Sequence, residues 1–217
     1  TSTIRGKAMI YNREMETNLP NPVRGRLLKE PEGRVRWLQK GEASRLIKEA
    51  EQSLTAPHLG PLVRLALNTG MRVQEMLGLE WSRVDLKNGL IYLGGIHTKS
   101  KKRRSIPINK ESREALLVQA RFRAMECPDS PWVFCHADGE RIGSVKRSFA
   151  TACKSTGIKD FRFHALRHTF AAWLVTAGVP LTGVRDLLGH SSITMTEKYA
   201  HLAPERVREA VAVLDKA

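Results

Sequence analysis

The chain has 217 residues, of which 41% are hydrophobic, so it can bury a core and is neither disordered nor collagen-like. Its 36 lysine and arginine residues outnumber 22 acidic ones, which gives a formal net charge of +14. An excess of this size predicts an anionic partner, usually nucleic acid. A membrane is not expected, because the longest uncharged stretch, residues 169–184, is too short and too interrupted to cross a bilayer.

Residues 1–36 differ in composition from the rest of the chain. A helical period extends over residues 5–15, but the prolines at 20, 22 and 31 cannot lie in a helix interior. We predict a short helix and then an extended linker that ends near residue 36; a disordered tail is the alternative. The chain begins with Thr rather than Met, so we expect a fragment of a longer protein.

A compact, mostly helical domain is predicted from Trp37 onward. Residues 43–54 form an apolar helical stripe that includes Leu54, and a second helix at 59–68 is stopped by Thr69 and Gly70. The Asn88-Gly89 pair lies between two short apolar runs, which predicts a β-hairpin.

The hairpin strands are predicted at residues 84–86 and 90–93, and a third strand at 105–108 completes an antiparallel sheet. Further helices are predicted at residues 110–125, 144–156, 164–177, 181–188, 193–200 and 205–215. The predicted fold class is therefore mainly α with a small three-stranded antiparallel β-sheet.

The cysteines predict a reducing compartment. They are Cys127, Cys135 and Cys153, an odd number with no C-x-x-C spacing. Neither a disulfide framework nor a zinc knuckle fits this pattern. The first ten residues also contain no apolar leader, so the predicted location is the cytoplasm.

A run of five cations occupies the predicted turn between the second and third strands. They are Lys99, Lys101, Lys102, Arg103 and Arg104. Charge runs are usually solvated faces. A short ribbon with cations at its tip can instead enter a DNA groove and place a lysine beside a phosphate. The residues alone leave both interpretations open.

Arg72 follows the glycine turn and opens a short predicted helix. Glu75 lies three residues further on, so both side chains share one helical face. Taken alone, the pair would be an ordinary surface ion pair that contributes less than about 1 kcal/mol.

The segment His164-Ala-Leu-Arg-His168 places His164 and Arg167 on one helical face. His164 and His168 also have the i, i+4 spacing of a zinc pair, but Ala165 stands where metalloproteases have a glutamate. We therefore expect no metal and assign His168 to a hydrogen bond in the core or a loop.

The last candidate segment is Leu188-Gly-His190, in which Gly189 ends a helix and His190 begins the next connection. Tyr199 follows in the segment Thr196-Glu-Lys-Tyr-Ala200. Taken alone, Tyr199 would be a packing aromatic with a solvated hydroxyl.

In this order, the segments resemble the tyrosine recombinase (phage integrase) family. The matching stretches are Thr69-Gly-Met-Arg-Val-Gln-Glu-Met-Leu-Gly-Leu-Glu-Trp81, His164-Ala-Leu-Arg-His-Thr-Phe170, and Leu187-Leu-Gly-His-Ser-Ser192 leading to Tyr199. The resemblance covers about residues 37–202. It implies that family's catalytic-domain fold for residues 37–217. It also makes residues 1–36 the end of a core-binding domain plus the interdomain linker.

The resemblance implies a site-specific DNA recombinase, or integrase, that works through a 3′-phosphotyrosyl intermediate without cofactor or metal. The implied catalytic residues are Arg72, Lys99, His164, Arg167, His190 and the nucleophile Tyr199, with Glu75 in support.

These residue types suit the chemistry. Two guanidinium groups can each grip two phosphate oxygens without losing charge. A phenol with an ordinary pKa near 10 needs a base or a positive field, which His164 and the arginines would supply. Lys99 is the implied acid for the leaving 5′-oxygen, although Lys101 and Lys102 compete for that role. His190 would hydrogen-bond the phosphate.

Double-stranded DNA is the implied partner, with the remaining hairpin cations (Lys101, Lys102, Arg103 and Arg104) as contacts. The helix at residues 204–215 would dock into a neighbouring protomer of a homotetramer on paired DNA sites; packing on its own domain is the alternative. DNA-bending accessory proteins are further expected partners, and the protein would be bacterial or phage-encoded. The alternative functions are DNA relaxation like that of a type IB topoisomerase and DNA binding without catalysis.

Overall fold

The computed structural model describes residues 36–94 and 103–204. The predicted helix at 5–15, the hairpin tip with Lys99, Lys101 and Lys102, and the predicted helix at 205–215 lie outside the described residues. The helices are α1 (Lys40–Glu51), α2 (Leu59–Thr69), α3 (Val73–Leu77), α4 (Lys110–Glu126), α5 (Lys146–Ser155), α6 (Ala165–Thr176), α7 (Leu181–Leu188) and α8 (Thr194–Glu197). The strands are β1 (Val84–Asp85), β2 (Leu90–Leu93) and β3 (Arg104–Pro107), and short 3-10 turns span Trp81–Arg83 and Ala200–Leu202.

The three strands form one antiparallel sheet in the order β1-β2-β3. Ile91 pairs with Val84 on one side and with Ile106 on the other. Gly89 has a positive φ of 68°, which allows the tight turn between β1 and β2. The predicted fold class, mainly α with a small three-stranded antiparallel sheet, is confirmed.

Helix α2 is the centre of the main core. It packs against α1, α4 and α6, and its residues from Leu59 to Leu67 are almost all buried. The segment before α1 is tied to α6 by two long-range hydrogen bonds. The Leu38 N–H donates to Thr169 Oγ1 at 3.1 Å, and Trp173 Nε1 donates to the Leu38 carbonyl at 2.9 Å.

Helix α6 lies between two apolar clusters and contributes residues to both. Its Leu166 belongs to the main core, whereas Phe170, Ala171 and Val175 belong to a smaller cluster. That smaller cluster also contains Val184 and Leu188 of α7, together with Tyr199. A single helix therefore holds α7 and the segment after α8 against the rest of the domain.

Two sequence predictions need correction. Helix α1 ends at Glu51, and Leu54 is 96% exposed instead of completing the buried stripe, because the chain turns and Ala56 packs in the core instead. The predicted helix at 193–200 is reduced to α8 and a 3-10 turn, so Tyr199 lies in the irregular connection between them. In the described part of the chain, no helix has the length and apolar character needed to cross a membrane.

Replacing Gly70 by alanine should destabilise the fold. Gly70 ends α2 with a φ of 60°, and an added Cβ would overlap the Phe170 ring and lie 2.9 Å from Leu188 Cδ2. Left-handed backbone strain and overpacking together predict a loss of at least about 2 kcal/mol in the free energy of unfolding. Urea denaturation measures this loss in the free energy of unfolding. The control is Gly143→Ala, where a Cβ meets nothing within 4 Å and the change should stay within about 0.5 kcal/mol. Equal effects of the two changes would contradict the tight packing at Gly70.

Candidate active site

Arg167 joins the ends of two helices. It lies in the first turn of α6 and is 4% exposed. Its Nη1 donates to the Gly70 carbonyl at 2.7 Å, and its Nη2 donates to the Leu188 carbonyl at 2.6 Å. These carbonyls lie at the C-terminal ends of α2 and α7, where the helix dipole places partial negative charge. One guanidinium thus fixes both helix ends.

The two helix ends lead directly to two other predicted site residues. Gly70 and Gly189 both adopt the left-handed conformation, so the chain turns sharply after each helix. Arg72 follows the first turn and His190 follows the second. The hydrogen bonds of Arg167 therefore bring these two segments together, although they are far apart in sequence.

Glu75 is a buried carboxylate that forms ion pairs with two arginines. Its side chain is 2% exposed, and its Oε1 accepts a hydrogen bond from Arg72 Nη1 at 2.9 Å. Arg104 of β3 binds both carboxylate oxygens, through Nη1 at 3.2 Å and Nη2 at 2.7 Å. Burial alone would raise the pKa of Glu75, but the hydrogen bonds and charge of Arg104 and the bonds from Arg72 hold that pKa below its ordinary value. The interpretation as an ordinary surface ion pair is therefore wrong.

Tyr199 is buried, with its hydroxyl against a histidine. The side chain is 1% exposed within the smaller apolar cluster, and Oη lies 2.5 Å from His168 Nδ1. Burial raises the pKa of Tyr199 to about 12, although the charge of Arg167 acts in the opposite direction. Lys198 Nζ lies 5.2 Å from the centre of the Tyr199 ring. The solvated hydroxyl expected for an isolated packing tyrosine is not observed.

Three histidines of the predicted site, of which His168 contacts this hydroxyl, have lowered pKa values. Burial, followed by the charge of Lys198, lowers the pKa of His168 to about 3. Burial and the charge of Arg167 lower the pKa of His190 to about 4, and His190 Nδ1 lies 2.9 Å from Thr196 Oγ1. Partial burial and the charge of Arg167 also lower the pKa of His164. All three imidazoles are therefore neutral near pH 7.

The site carries an excess of positive charge. Burial and the charges of Arg72 and Arg104 lower the pKa of Arg167 to about 9, so it still carries its charge at neutral pH. Glu75 faces two of these three guanidinium groups. Such a surplus in a partly buried setting favours the binding of an anion.

The structure brings together most of the predicted site. The residues that share this electrostatic environment are Arg72, Glu75, His164, Arg167, His190 and Tyr199. Lys99, Lys101 and Lys102 lie outside the described residues. The other two hairpin cations, Arg103 and Arg104, line a cleft of about 380 Å³ together with His190.

The structure gives two residues a place that the sequence did not predict. Arg104 was predicted as a surface contact for DNA, but its side chain is 9% exposed and engaged with Glu75, because a buried carboxylate needs a paired cation. His168 makes a hydrogen bond, as expected. Its partner is the Tyr199 hydroxyl, which the sequence did not predict. In the described ranges, no group of three or more metal-ligating side chains is close enough to hold a metal ion.

Comparison with known proteins identifies the family. The model of the phage integrase family matches residues 36–206. The chain belongs to this family. It is 33% identical over 195 residues to the integrase of Salmonella phage P22, covering 84% of this chain and 48% of that protein. It is 31% identical over 209 residues to tyrosine recombinase XerC of Pseudomonas syringae pv. syringae strain B728a, covering 93% of this chain and 67% of that protein. The chain thus spans about half to two thirds of these relatives.

Solved structures of integrases have the same fold. The catalytic domain of bacteriophage HP1 integrase is 32% identical, with a TM-score of 0.64, and the match covers 82% of this chain and 94% of that domain. The Tn1549 transposon integrase in complex with circular intermediate DNA is 21% identical, with a TM-score of 0.73, covering 98% of this chain and 77% of that one. The predicted family and its catalytic-domain fold are confirmed.

Replacing Glu75 by glutamine should destabilise the protein, because it leaves the guanidinium groups of Arg72 and Arg104, which are 22% and 9% exposed, without their counter-charge. We expect a loss of roughly 3 kcal/mol near neutral pH, measured by urea denaturation. The folded-state pKa of Glu75 is lowered, so its contribution is complete above the ordinary value of 4.5 and is lost as the pH falls below it. The difference between wild type and variant should therefore shrink in acid.

The matched control is Glu114→Gln, an exposed glutamate on α4. It should change the free energy of unfolding by no more than about 0.5 kcal/mol. Equal losses in the two variants, or a difference that grows in acid, would contradict a charged, buried Glu75.

Proposed function

We propose that this chain is the catalytic part of a site-specific recombinase that cuts and rejoins DNA through Tyr199. The observation that carries the proposal is the placement of the Tyr199 hydroxyl beside a cluster of arginines and neutral histidines with surplus positive charge. Attack on a phosphodiester needs a nucleophile, charge neutralisation on the phosphoryl oxygens, and a proton for the leaving oxygen. Family membership supports the same activity.

Arg72 and Arg167 would bind the scissile phosphate. Each guanidinium has five N–H donors, so Arg167 keeps further N–H groups after donating to the Gly70 and Leu188 carbonyls. Because α2, α6 and α7 fix its position, Arg167 would bind the phosphate without reorganisation, which is the condition for strong electrostatic stabilisation. His190, held by Thr196 Oγ1, would add a hydrogen bond to the same phosphate.

The chemical step exchanges one phosphate ester for another. The Tyr199 oxygen bonds to phosphorus, the bond from phosphorus to the 5′-oxygen breaks, and a 3′-phosphotyrosyl link and a 5′-hydroxyl result. Lys99 would give the proton to the 5′-oxygen, with Lys101 and Lys102 as the competing candidates. Because the new ester keeps the energy of the old one, rejoining needs neither ATP nor a metal.

Double-stranded DNA is the proposed partner. The net charge of +14 and the cleft lined by Arg103, Arg104 and His190 support it, as does the Tn1549 integrase of the same fold, which was solved in complex with DNA. A homotetramer joined through residues 204–215, DNA-bending accessory proteins, the bacterial cytoplasm as location, and the division of the chain at residue 36 stay predictions. The relatives are integrases and XerC recombinases, which favours recombination over the topoisomerase-like alternative.

Tyr199→Phe should abolish the covalent intermediate. A pool of nicked duplexes with randomised sequence around the nick makes the test independent of the target sequence, since the short fragment carrying the 5′-hydroxyl diffuses away after cleavage. Wild type should give an SDS-resistant protein–DNA adduct on a gel, and Tyr199→Phe should give none while still binding duplex DNA. The control is Tyr92→Phe on β2, where the side chain is 46% exposed and the adduct should be unchanged.

The adduct also distinguishes a recombinase from a topoisomerase. Duplexes recovered from it, resynthesised singly, define the preferred sequence. Strand exchange only between two copies of that sequence supports a recombinase, whereas relaxation of plasmids without it indicates a topoisomerase. An adduct with Tyr199→Phe would refute Tyr199 as the nucleophile, and no adduct with wild type would refute catalysis by this chain.

Lys99→Ala should slow cleavage of the recovered duplex by about 10²-fold or more if Lys99 is the acid. A sulfur in place of the leaving 5′-oxygen departs without a proton, so the variant should then cleave at nearly the wild-type rate in a single-turnover assay. Lys101→Ala and Lys102→Ala are the matched controls. Rescue by sulfur of one of these, and not of Lys99→Ala, would reassign the role.

A further inference from the structure

We propose that His168, rather than His164, is the catalytic base that receives the phenolic proton of Tyr199. The inference rests on the proposed function and adds a residue to its chemistry. The observation behind it is direct contact: His168 Nδ1 lies 2.5 Å from the Tyr199 hydroxyl oxygen, and the two rings lie 6.0 Å apart at a 48° angle. A base must lie within hydrogen-bonding reach of the proton that it takes.

His164 occupies a different place. It lies one turn before His168 on the same side of α6, and its ring meets the His168 ring edge-on with centroids 5.0 Å apart. The Tyr199 hydroxyl, which the sequence assigned to His164, is hydrogen-bonded to His168 instead. Both histidines remain in the site, but in the described part of the chain the hydrogen bond of the reacting oxygen is to His168 and not to His164.

The surroundings of His168 decide when it can act. Arg167 and His164 face it from its own helix, His190 from the connection after α7, and Lys198 from the segment after α8. Because these neighbours are cationic or neutral, they disfavour a positive charge on His168. In the free protein the proton therefore stays on Tyr199, whose pKa is about 12, while the pKa of His168 is about 3.

A bound phosphodiester changes this balance. Its negative charge, placed among Arg72, Arg167 and His190, opposes the field that disfavours imidazolium at His168, and the same arginines then face an anion. Proton transfer from Tyr199 to His168 thus becomes less costly when DNA occupies the site, and it accompanies formation of the bond to phosphorus, so that no free phenolate has to form. The nucleophile is kept protonated and buried until its substrate is bound.

The step balances in atoms and charge. As Tyr199 Oη bonds to phosphorus, its proton moves to His168 Nδ1, the bond to the 5′-oxygen breaks, and that oxygen takes a proton from Lys99. In rejoining, the 5′-hydroxyl attacks the phosphotyrosine, its proton returns to Lys99, and the imidazolium of His168 returns a proton to the departing phenolate. No oxidant, reductant or metal takes part.

The experiment compares His168→Asn with wild type on the duplex recovered from the adduct. An asparagine can place an amide near the position of Nδ1 and keep a hydrogen bond to Tyr199, but it cannot accept the proton. We expect single-turnover adduct formation to fall by about 10²-fold or more at neutral pH. Duplex affinity, measured by fluorescence anisotropy, and the thermal unfolding midpoint should stay close to wild type.

The pH profile separates a base from a structural residue. Without a base, Tyr199 must lose its proton to solvent, so the rate for His168→Asn should rise about tenfold per pH unit between about pH 6 and pH 9. Wild type should vary much less over this range, because its His168 is neutral throughout. A residue that only shapes the site would lower the rate by the same factor at every pH.

His58→Asn is the matched control. His58 is another half-buried histidine, burial lowers its pKa to about 4, and it lies apart from the site, beside His136. It should keep the wild-type rate and pH profile. Tyr199→Phe gives the background level of adduct formation for a protein that lacks the nucleophile.

Each outcome has a defined meaning. Wild-type rates in His168→Asn, or a loss that is independent of pH, overturn the role of His168 but leave Tyr199 as the nucleophile. No adduct with wild type overturns the proposed function itself. If His168→Asn does not show a cooperative unfolding transition, His168→Gln is measured by the same criteria. Loss of the folded state in both variants would make His168 structural and overturn the inference.

Discussion

The site depends on the two hydrogen bonds by which Arg167 holds the C-terminal carbonyls of α2 and α7. A charged donor at two helix C-termini is favourable both as a hydrogen bond and through the helix dipoles. Because Gly70 and Gly189 turn the chain immediately afterwards, the same interaction sets where Arg72 and His190 lie. The proposed phosphate ligand is therefore also the residue that assembles the proposed phosphate site.

The double role of Arg167, as proposed phosphate ligand and as link between two helix ends, has an energetic consequence. Three guanidinium groups lie near one carboxylate. Burial and the repulsion from the other two arginines lower the pKa of Arg167. Glu75 compensates Arg72 and Arg104 directly, whereas Arg167 relies on neutral carbonyls. The folded protein thus keeps an unfavourable concentration of positive charge that a bound phosphate would relieve, which converts part of the folding free energy into affinity for an anion.

Local patterns predicted the elements well and the site contacts poorly. The Asn88-Gly89 turn and the apolar periods fix the sheet and most helices, because these depend on neighbours in sequence. They could not show that Leu54 lies past a chain turn, or that the last helical pattern breaks before Tyr199. The resemblance placed the proposed catalytic residues in order, but the burial of Glu75 against Arg104 and the contact of His168 with Tyr199 join positions 29 and 31 residues apart. Such contacts follow from tertiary packing, which no local period encodes.

The arrangement on α6 explains why one short segment can serve two roles. Successive residues of a helix point about 100° apart, so Arg167 can face the two helix ends while His168 faces the smaller apolar cluster and Tyr199. Both groups are held by the same rigid helix, which suits atoms that must be placed accurately. Tyr199, by contrast, lies in the irregular stretch between α8 and a 3-10 turn, where its N–H donates to the Thr196 carbonyl at 3.0 Å and its carbonyl accepts from the Leu202 N–H at 2.9 Å. The proposed phosphate ligand and the proposed base therefore share one rigid helix, whereas the proposed nucleophile is carried by a separate segment that packs against that helix through the smaller apolar cluster.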